Sequence, residues 1–300
     1  MLSDKEILEN LKLKFKDASE CKKILTQQRE ELKNVNKKLT ESEALKSHFI
    51  SNITNEIVNP FASILGLSKN IIASKDNDID KIKNMAELIH SEAFELDFQL
   101  NNIFTAAKIE AGEANPEIIK TDVNMLINSV ISAYKYKAEQ KQLKVHFDFE
   151  IDKELSEKIY FNTDPEKLRL IISNLLSNSI KYSNAANRIE IKGWIENDTL
   201  KISVKDYGIG INKKNLEVIF DRFKRVDSSI NSLNPGHGLG LSVTKALIDI
   251  LNGNIDIVSK QNIGSMFIIE IPQAEIVENQ GYAIDGNEFI FGDSDEDEVF

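Results

Sequence analysis

The feature that most constrains this chain is a long apolar stripe that nothing in its own helix can cover. Ile82, Met85, Ile89, Ala93, Leu96, Leu100, Ile103 and Ala107 advance in steps of three and four. That spacing traces one face of an α-helix over about seven turns. A first arm precedes it, running to about Ser74 with a bend expected near Pro60, whose ring removes an intrahelical bond. The segment SKDNDID supplies the turn, with Asp78 or a neighbour as the next cap, and Gly112, Asn115 and Pro116 mark the exit. Two helices with one stripe each cannot enclose a core. Pairing two such hairpins into a four-helix bundle does, so the sequence implies a homodimer.

Upstream, residues 5–46 are charged and free of Pro and Gly. Leu11, Ala18, Leu25, Leu32 and Leu39 fall at one heptad position, while its companion holds Lys14, Cys21, Gln28, Val35 and Ser42. One strong half-seam predicts a parallel coiled coil of modest stability, continuous with the helix at 47–59. The alternative is a single amphipathic helix packed on its own protein.

Beyond Pro116 the pattern changes to strands and helices. EIIKTDV, LKVHFDF, KIYFN, RIEIKGWI, LKISVKD, NIDIVS and SMFIIEI read as strands, and helices are expected near 123–141, 165–182, 213–219 and 239–252. Antiparallel strands in one layer and helices in the other predict an α/β sandwich. The fold class is therefore α+β. Residues 1–46 form the coiled coil, 47–112 the hairpin, 115–273 the sandwich and 274–300 a tail.

That tail carries nine Asp or Glu and no Lys or Arg, which leaves −2 of the formal charge of −11 for residues 1–272. A nearly neutral body lacks the basic surface of a nucleic-acid binder. The tail reads as a disordered solubilising segment; Phe289, Ile290, Phe291 and Phe300 leave a docking peptide open. No apolar run approaches the roughly 18 residues that cross a bilayer, and Lys5, Glu6 and Glu9 interrupt any signal-peptide pattern. The single cysteine, Cys21, excludes an intramolecular disulfide. These observations predict a cytoplasmic protein.

Four segments of the sandwich carry chemistry. In NLLSNSIKYS, residues 174–183, Asn174 and Asn178 share one helix face, which Lys181 and Tyr182 extend. Amide oxygens are hard ligands suited to Mg²⁺. DYGIG, residues 206–210, follows a strand and places Asp206 before the tight turns of Gly208 and Gly210. IFDRFKRVD, residues 219–227, offers Phe220, Phe223 and Arg225. GHGLGL, residues 236–241, sets Gly236, Gly238, Leu239 and Gly240 at the start of a helix, where backbone N–H groups attract phosphate. Each alone has a plain structural reading: surface asparagines, an ordinary turn, core aromatics.

Taken in order, the four segments resemble the ATP-binding domain that histidine kinases share with gyrase-type and Hsp90-type ATPases. GSMF, residues 264–267, is similar to that family's last strand, with Ser265 where threonine is commoner. Residues 47–67, SHFISNITNEIVNPFASILGL, resemble the dimerisation and phosphoacceptor segment of two-component histidine kinases. The resemblance covers about residues 47–272 and implies ATP and Mg²⁺ as cofactors. It implies Asn178 as the main Mg²⁺ ligand with Asn174 assisting, Lys181 and Arg225 near phosphates, Tyr182 lining the nucleotide, Asp206 on the adenine amino group and residues 228–235 as a lid.

The acceptor segment departs from the family at two positions. Asn55 stands where a histidine accepts the γ-phosphoryl, and Val58 where a basic residue is usual. An amide nitrogen lone pair is delocalised, whereas neutral imidazole offers a free one. Glu56 holds the position of the general base, and Asn59 the position that orients water when such proteins dephosphorylate a response regulator. His48, His90, His146 and His237 lack the acceptor's context. The resemblance thus implies a histidine protein kinase whose self-phosphorylation at position 55 is lost. Its expected partners are a second copy and a response regulator or partner histidine kinase. A non-catalytic ATP-binding scaffold, a response-regulator phosphatase and an active kinase with its acceptor removed by design are the alternatives.

Overall fold

The computed structural model describes residues 22, 23, 25–37, 40, 57–74, 78–150, 159–184, 187–216, 218–220 and 239–275. Residues 25–37 are helical, with Leu25, Leu32 and Val35 all exposed; the apolar heptad members Leu11, Ala18 and Leu39 lie outside the described residues, as does the acidic tail from 276. Helix α1 spans 57–72 and runs through the buried Pro60, which has no N–H to donate to the turn before it.

Helix α2, Ile79–Ala111, is the second arm. Asp78 sits at its N-cap but its side chain makes no capping bond. Gly112 ends it in the left-handed conformation, with the N–H groups of Gly112 and Glu113 returning to the carbonyls of Ile109 and Lys108. Of the predicted stripe, Met85 is buried, Ala107 is exposed and the others are half-buried.

The remaining residues build the sandwich. In order they are β1 (Ile119–Asp122), α3 (Val123–Ala133), α4 (Lys135–Gln140), β2 (Lys144–Phe149), β3 (Tyr160–Thr163) and α5 (Pro165–Tyr182), then β4 (Arg188–Glu196), β5 (Thr199–Asp206), α6 (Gly240–Ile250), β6 (Asn254–Lys260) and β7 (Gly264–Pro272). The predicted helix at 123–141 breaks at the buried Tyr134, and that at 213–219 is a 3₁₀ turn over Lys213–Asn215.

The strands divide into an antiparallel β1–β3 pair and a five-stranded sheet in the order β2-β4-β5-β7-β6. The expectation of an antiparallel sheet needs correction, because β2 and β4 pair in parallel while the other neighbours are antiparallel. Two adjacent strands joined by a long crossover containing a helix can run the same way, and β3 with α5 supplies that crossover.

The core lies between the sheet and the helix layer. Leu168, Ile171, Ile172, Leu175 and Leu176 of α5 are wholly buried against Ile189 and Ile191 of β4 and Leu200, Ile202 and Val204 of β5. Each such side chain contributes about 1.5–3 kcal/mol of burial. Asp164 starts α5 by accepting from the Lys167 N–H at 2.9 Å, with Pro165 in the first turn.

Candidate functional site

Helix α5 positions the first motif. Asn174 is buried within it, whereas Asn178, Lys181 and Tyr182 are half-buried one and two turns further on. The end of α5 is held by Lys141, whose Nζ donates to the carbonyls of Ile180 at 2.9 Å and Lys181 at 2.7 Å. A cation satisfies two of the helix's terminal acceptors there. Burial lowers the Lys141 pKa. Lys181 Nζ lies 5.4 Å from the Tyr182 ring centroid.

The DYGIG turn is pinned from both sides. Asp206 is buried at the end of β5, and its Oδ1 accepts from the Gly208 N–H at 2.9 Å and the Ser265 N–H at 3.3 Å. Burial pushes the Asp206 carboxyl above its usual range, and the two N–H donors oppose that shift. A Cβ at Gly208 would stand 2.2 Å from the Tyr182 carbonyl oxygen, so only glycine allows this approach to the end of α5. Gly210 adopts φ +62°, and a Cβ there would stand 2.0 Å from the Lys260 carbonyl oxygen. Ser259 completes the frame: its Oγ accepts from the Ile211 N–H at 2.8 Å and lies 3.0 Å from Ser265 Oγ. The strand motif GSMF therefore buttresses Asp206 through its Ser265 amide.

The start of α6 closes the third side. A Cβ on Gly240 would stand 2.9 Å from Asn174 Oδ1 and 3.9 Å from Asn178 Nδ2. The two asparagines and the first turn of α6 thus converge. Two amides on one helix face, beside a residue with no side chain, fit a hard cation that takes few protein ligands. Leu239 differs from expectation in one respect: its side chain is buried in the hydrophobic core. Phe220 is half-buried and packs on the core, the plain structural role.

Asn59 is exposed on α1, and Asn55, Glu56, Phe223, Arg225, Gly236 and Gly238 lie outside the described residues. His90 and His146 are exposed on α2 and β2, while His48 and His237 lie outside the described residues.

Sequence reasoning missed several supporting residues. Lys141, Ser259 and Asn187, whose Nδ2 donates to the Tyr207 carbonyl at 2.8 Å, all brace the site. It also missed the docking of α2 on the sandwich, in which the stripe member Ile103 takes part. Phe94, Ile103, Ala106 and Ile109 pack on the sandwich core. Phe94 and Phe98 meet Tyr134 edge-on at centroid distances of 5.2 and 6.0 Å. Lys137 of α4 pairs with Glu95. Between these contacts the buried Asn102 accepts from Asn174 Nδ2 at 2.8 Å. Residues 94, 98, 102, 106 and 109 have helical spacing, but the polar Asn102 interrupts the apolar pattern that would have shown it.

Among the described residues no helix is long and apolar enough to cross a membrane. Residues 163–275 match the family of histidine kinase-, DNA gyrase B- and HSP90-like ATPases. The chain is similar to the sensor protein RprX of Bacteroides fragilis, 31% identical over 242 residues, which cover 79% of this chain and 44% of RprX. It is also similar to the circadian input-output histidine kinase CikA of Synechococcus elongatus, 28% identical over 236 residues, covering 78% of this chain and 31% of CikA. The chain thus spans less than half the length of these two relatives. The crystal structure of full-length ShkA in complex with AMPPNP shares the fold, with a TM-score of 0.52 at 20% identity over 77% of this chain and 46% of that one.

Proposed function

The chain belongs to the two-component sensor histidine kinase family, and we propose that it binds Mg-ATP as a homodimer without phosphorylating itself at position 55. The convergence of Asn174, Asn178 and Gly240 beside the pinned turn of Asp206 carries the reading. With Oδ1 occupied by two N–H donors, Oδ2 of Asp206 is the oxygen that would accept from the adenine amino group. Tyr182 would line the base, and Lys181 and the backbone at 236–240 would meet the phosphates. When bound, Mg²⁺ supplies positive charge beside the phosphates, held by Asn178 and Asn174. Phe223 would anchor its loop, Arg225 would reach the phosphates, and residues 228–235 would form the lid over the nucleotide. We take the site of action to be the cytoplasm, where ATP is at hand.

The hairpin of residues 47–112 would form the dimer, because its helices leave Phe61, Leu65 and Phe104 exposed in a single chain. At position 55 phosphoryl transfer fails for want of a lone pair, although Glu56 stands beside it. Calorimetry on the unmodified protein tests the nucleotide claim: binding of ATP with Mg²⁺ is expected, and none at millimolar nucleotide overturns it. Incubation with γ-labelled ATP tests the acceptor claim. Label is expected on Asn55→His alone, and acid-labile phosphate on the unmodified chain overturns it.

A second reading rests on Asn59, which is exposed on α1 and open to a partner. Hydrolysis of a response regulator's phospho-aspartate uses water as nucleophile and needs no histidine. Asn59→Ala is expected to abolish such activity and Asn55→Ala to spare it. An unchanged phospho-aspartate lifetime on adding the protein to its regulator favours the scaffold instead.

A further inference from the structure

Asn102 belongs to none of the nucleotide motifs, yet it is one of only two buried residues on α2. An amide in an apolar interface is costly unless its hydrogen bonds are made. Here they are made in an order that has a direction. Asn102 Nδ2 donates to the Phe98 carbonyl, one turn back in the same helix, at 3.0 Å. A carbonyl oxygen only accepts, so the nitrogen end of the Asn102 amide must face it. The oxygen end is thereby turned toward α5, where it accepts from Asn174 Nδ2 at 2.8 Å. Asn174 then has its nitrogen committed, and its Oδ1 faces the first turn of α6, 2.9 Å from where a Cβ of Gly240 would be.

We propose that Asn102 is a positioning residue: it turns the oxygen of Asn174, rather than its NH₂, toward the Mg²⁺–phosphate end of the site, and so makes metal binding depend on the docking of α2. This rests on the reading of Asn174 as a Mg²⁺ ligand. Left alone, the amide of Asn174 has two orientations, one of which presents a donor to the cation. The backbone of α2 selects the other through a relay of two amides. Phe94 and Phe98 against Tyr134, and Lys137 paired with Glu95, fix α2 at the place where the relay works. A hairpin helix that shifted along the sandwich would release Asn102 and lower the affinity for the metal, leaving the adenine end intact. The relay thus gives the hairpin a route to the nucleotide site that uses no charge.

The experiment measures ATP affinity of the full chain by calorimetry, once with Mg²⁺ and once with a chelator. Asn102→Ser is the main variant. Its hydroxyl bonds back to the Phe98 carbonyl and is too short to reach α5. The gain in affinity on adding Mg²⁺ is expected to fall by about tenfold, as when the partner of a metal ligand is removed, with metal-free affinity unchanged. Asn102→Asp, protonated in this buried place so that its O–H replaces the donor to the Phe98 carbonyl while its other oxygen accepts from Asn174, is expected to restore most of that gain. The Asn174 side-chain NH₂ resonance in NMR is expected to exchange slowly in the unmodified protein and in Asn102→Asp, and fast in Asn102→Ser. Melting checks the fold, and Asn102→Leu replaces the serine variant if that one is unfolded. Equal losses with and without Mg²⁺ mean a structural role only and overturn the proposal. An unchanged Mg²⁺ gain in Asn102→Ser, lost in Asn174→Ala, also overturns it and leaves Asn174 a ligand. An unchanged gain in Asn174→Ala overturns the ligand reading itself.

Discussion

Helices α5 and α2 each bury an asparagine, and the two asparagines bond to each other, but the helices are held by different means. The 18 residues of α5 bury nine side chains among the sheet, α3 and α6. The 33 residues of α2 bury two. The shorter helix is therefore an integral part of its domain's core, whereas the longer one leaves apolar surface for something else to cover. Rigid support lies under the nucleotide motifs, and the element that would carry a signal is the one with less of its own stabilisation.

The largest test of that contrast is a truncation in each helix. Leu175→Ala removes a wholly buried side chain of α5 and is expected to cost about 2–5 kcal/mol in denaturant unfolding of the sandwich. Leu96→Ala removes a half-buried member of the α2 stripe. It is expected to leave the melting of the sandwich nearly unchanged and to raise the dissociation constant of the dimer in light scattering. Equal effects on sandwich melting would erase the distinction.

A fragment of residues 115–273 sharpens the same contrast by omitting α2. It is expected to be folded, monomeric and able to bind ATP. It lacks Asn102, so its Mg²⁺ gain is expected to resemble that of Asn102→Ser. A fragment that is unfolded, or that dimerises like the whole chain, breaks the comparison.

The sandwich was far more legible than the hairpin's role. Most of its strands alternate with period two and its described turns fall at Gly and Asn, so the strands announced themselves locally, whereas the break at Tyr134 and the 3₁₀ turn at Lys213–Asn215 did not. The bounds of α5 were read as they stand, because Asp164 and Pro165 mark its start and Ser183 its end. The parallel pairing of β2 with β4 was not legible, since strand direction is set by the crossover and not by either strand's own residues. The tight turn at 206–210 was legible because Gly208 and Gly210 are required by contacts that any side chain would violate. Asn102 was not, because its importance lies in a partner 72 residues away. Lys141 was hidden in the same way: its partners are backbone carbonyls, which leave no signature in sequence.

The turn after β5 offers two smaller tests of how firmly α5 holds its neighbours. Gly208→Ala places a methyl group against the Tyr182 carbonyl, 2.2 Å away, and must push the turn off the end of α5. ATP affinity is expected to fall at least about tenfold, which is ~1.4 kcal/mol. Calorimetry checks it, and an unchanged affinity would show that the turn yields without consequence for the site.

Acidity separates stability from binding at Asp206. Burial raises its pKa in the folded protein, so between the ordinary carboxylate value and that raised value the folded state holds a proton that the unfolded chain has released. The contribution of this group to stability is therefore fully present below the unfolded pKa and is lost as pH rises through the folded one. Nucleotide affinity should move the opposite way, because the adenine amino group donates best to a carboxylate, and it should fall as pH drops through the same window. Asp206→Asn is expected to keep the bonds from the Gly208 and Ser265 N–H groups, to match or exceed the parent's stability at neutral pH, and to bind ATP about tenfold more weakly. Its remaining affinity should lack the acid-side decline. If the parent and Asp206→Asn show the same pH dependence of binding, the adenine contact lies elsewhere, and the buried carboxylate serves only to hold the turn against α5.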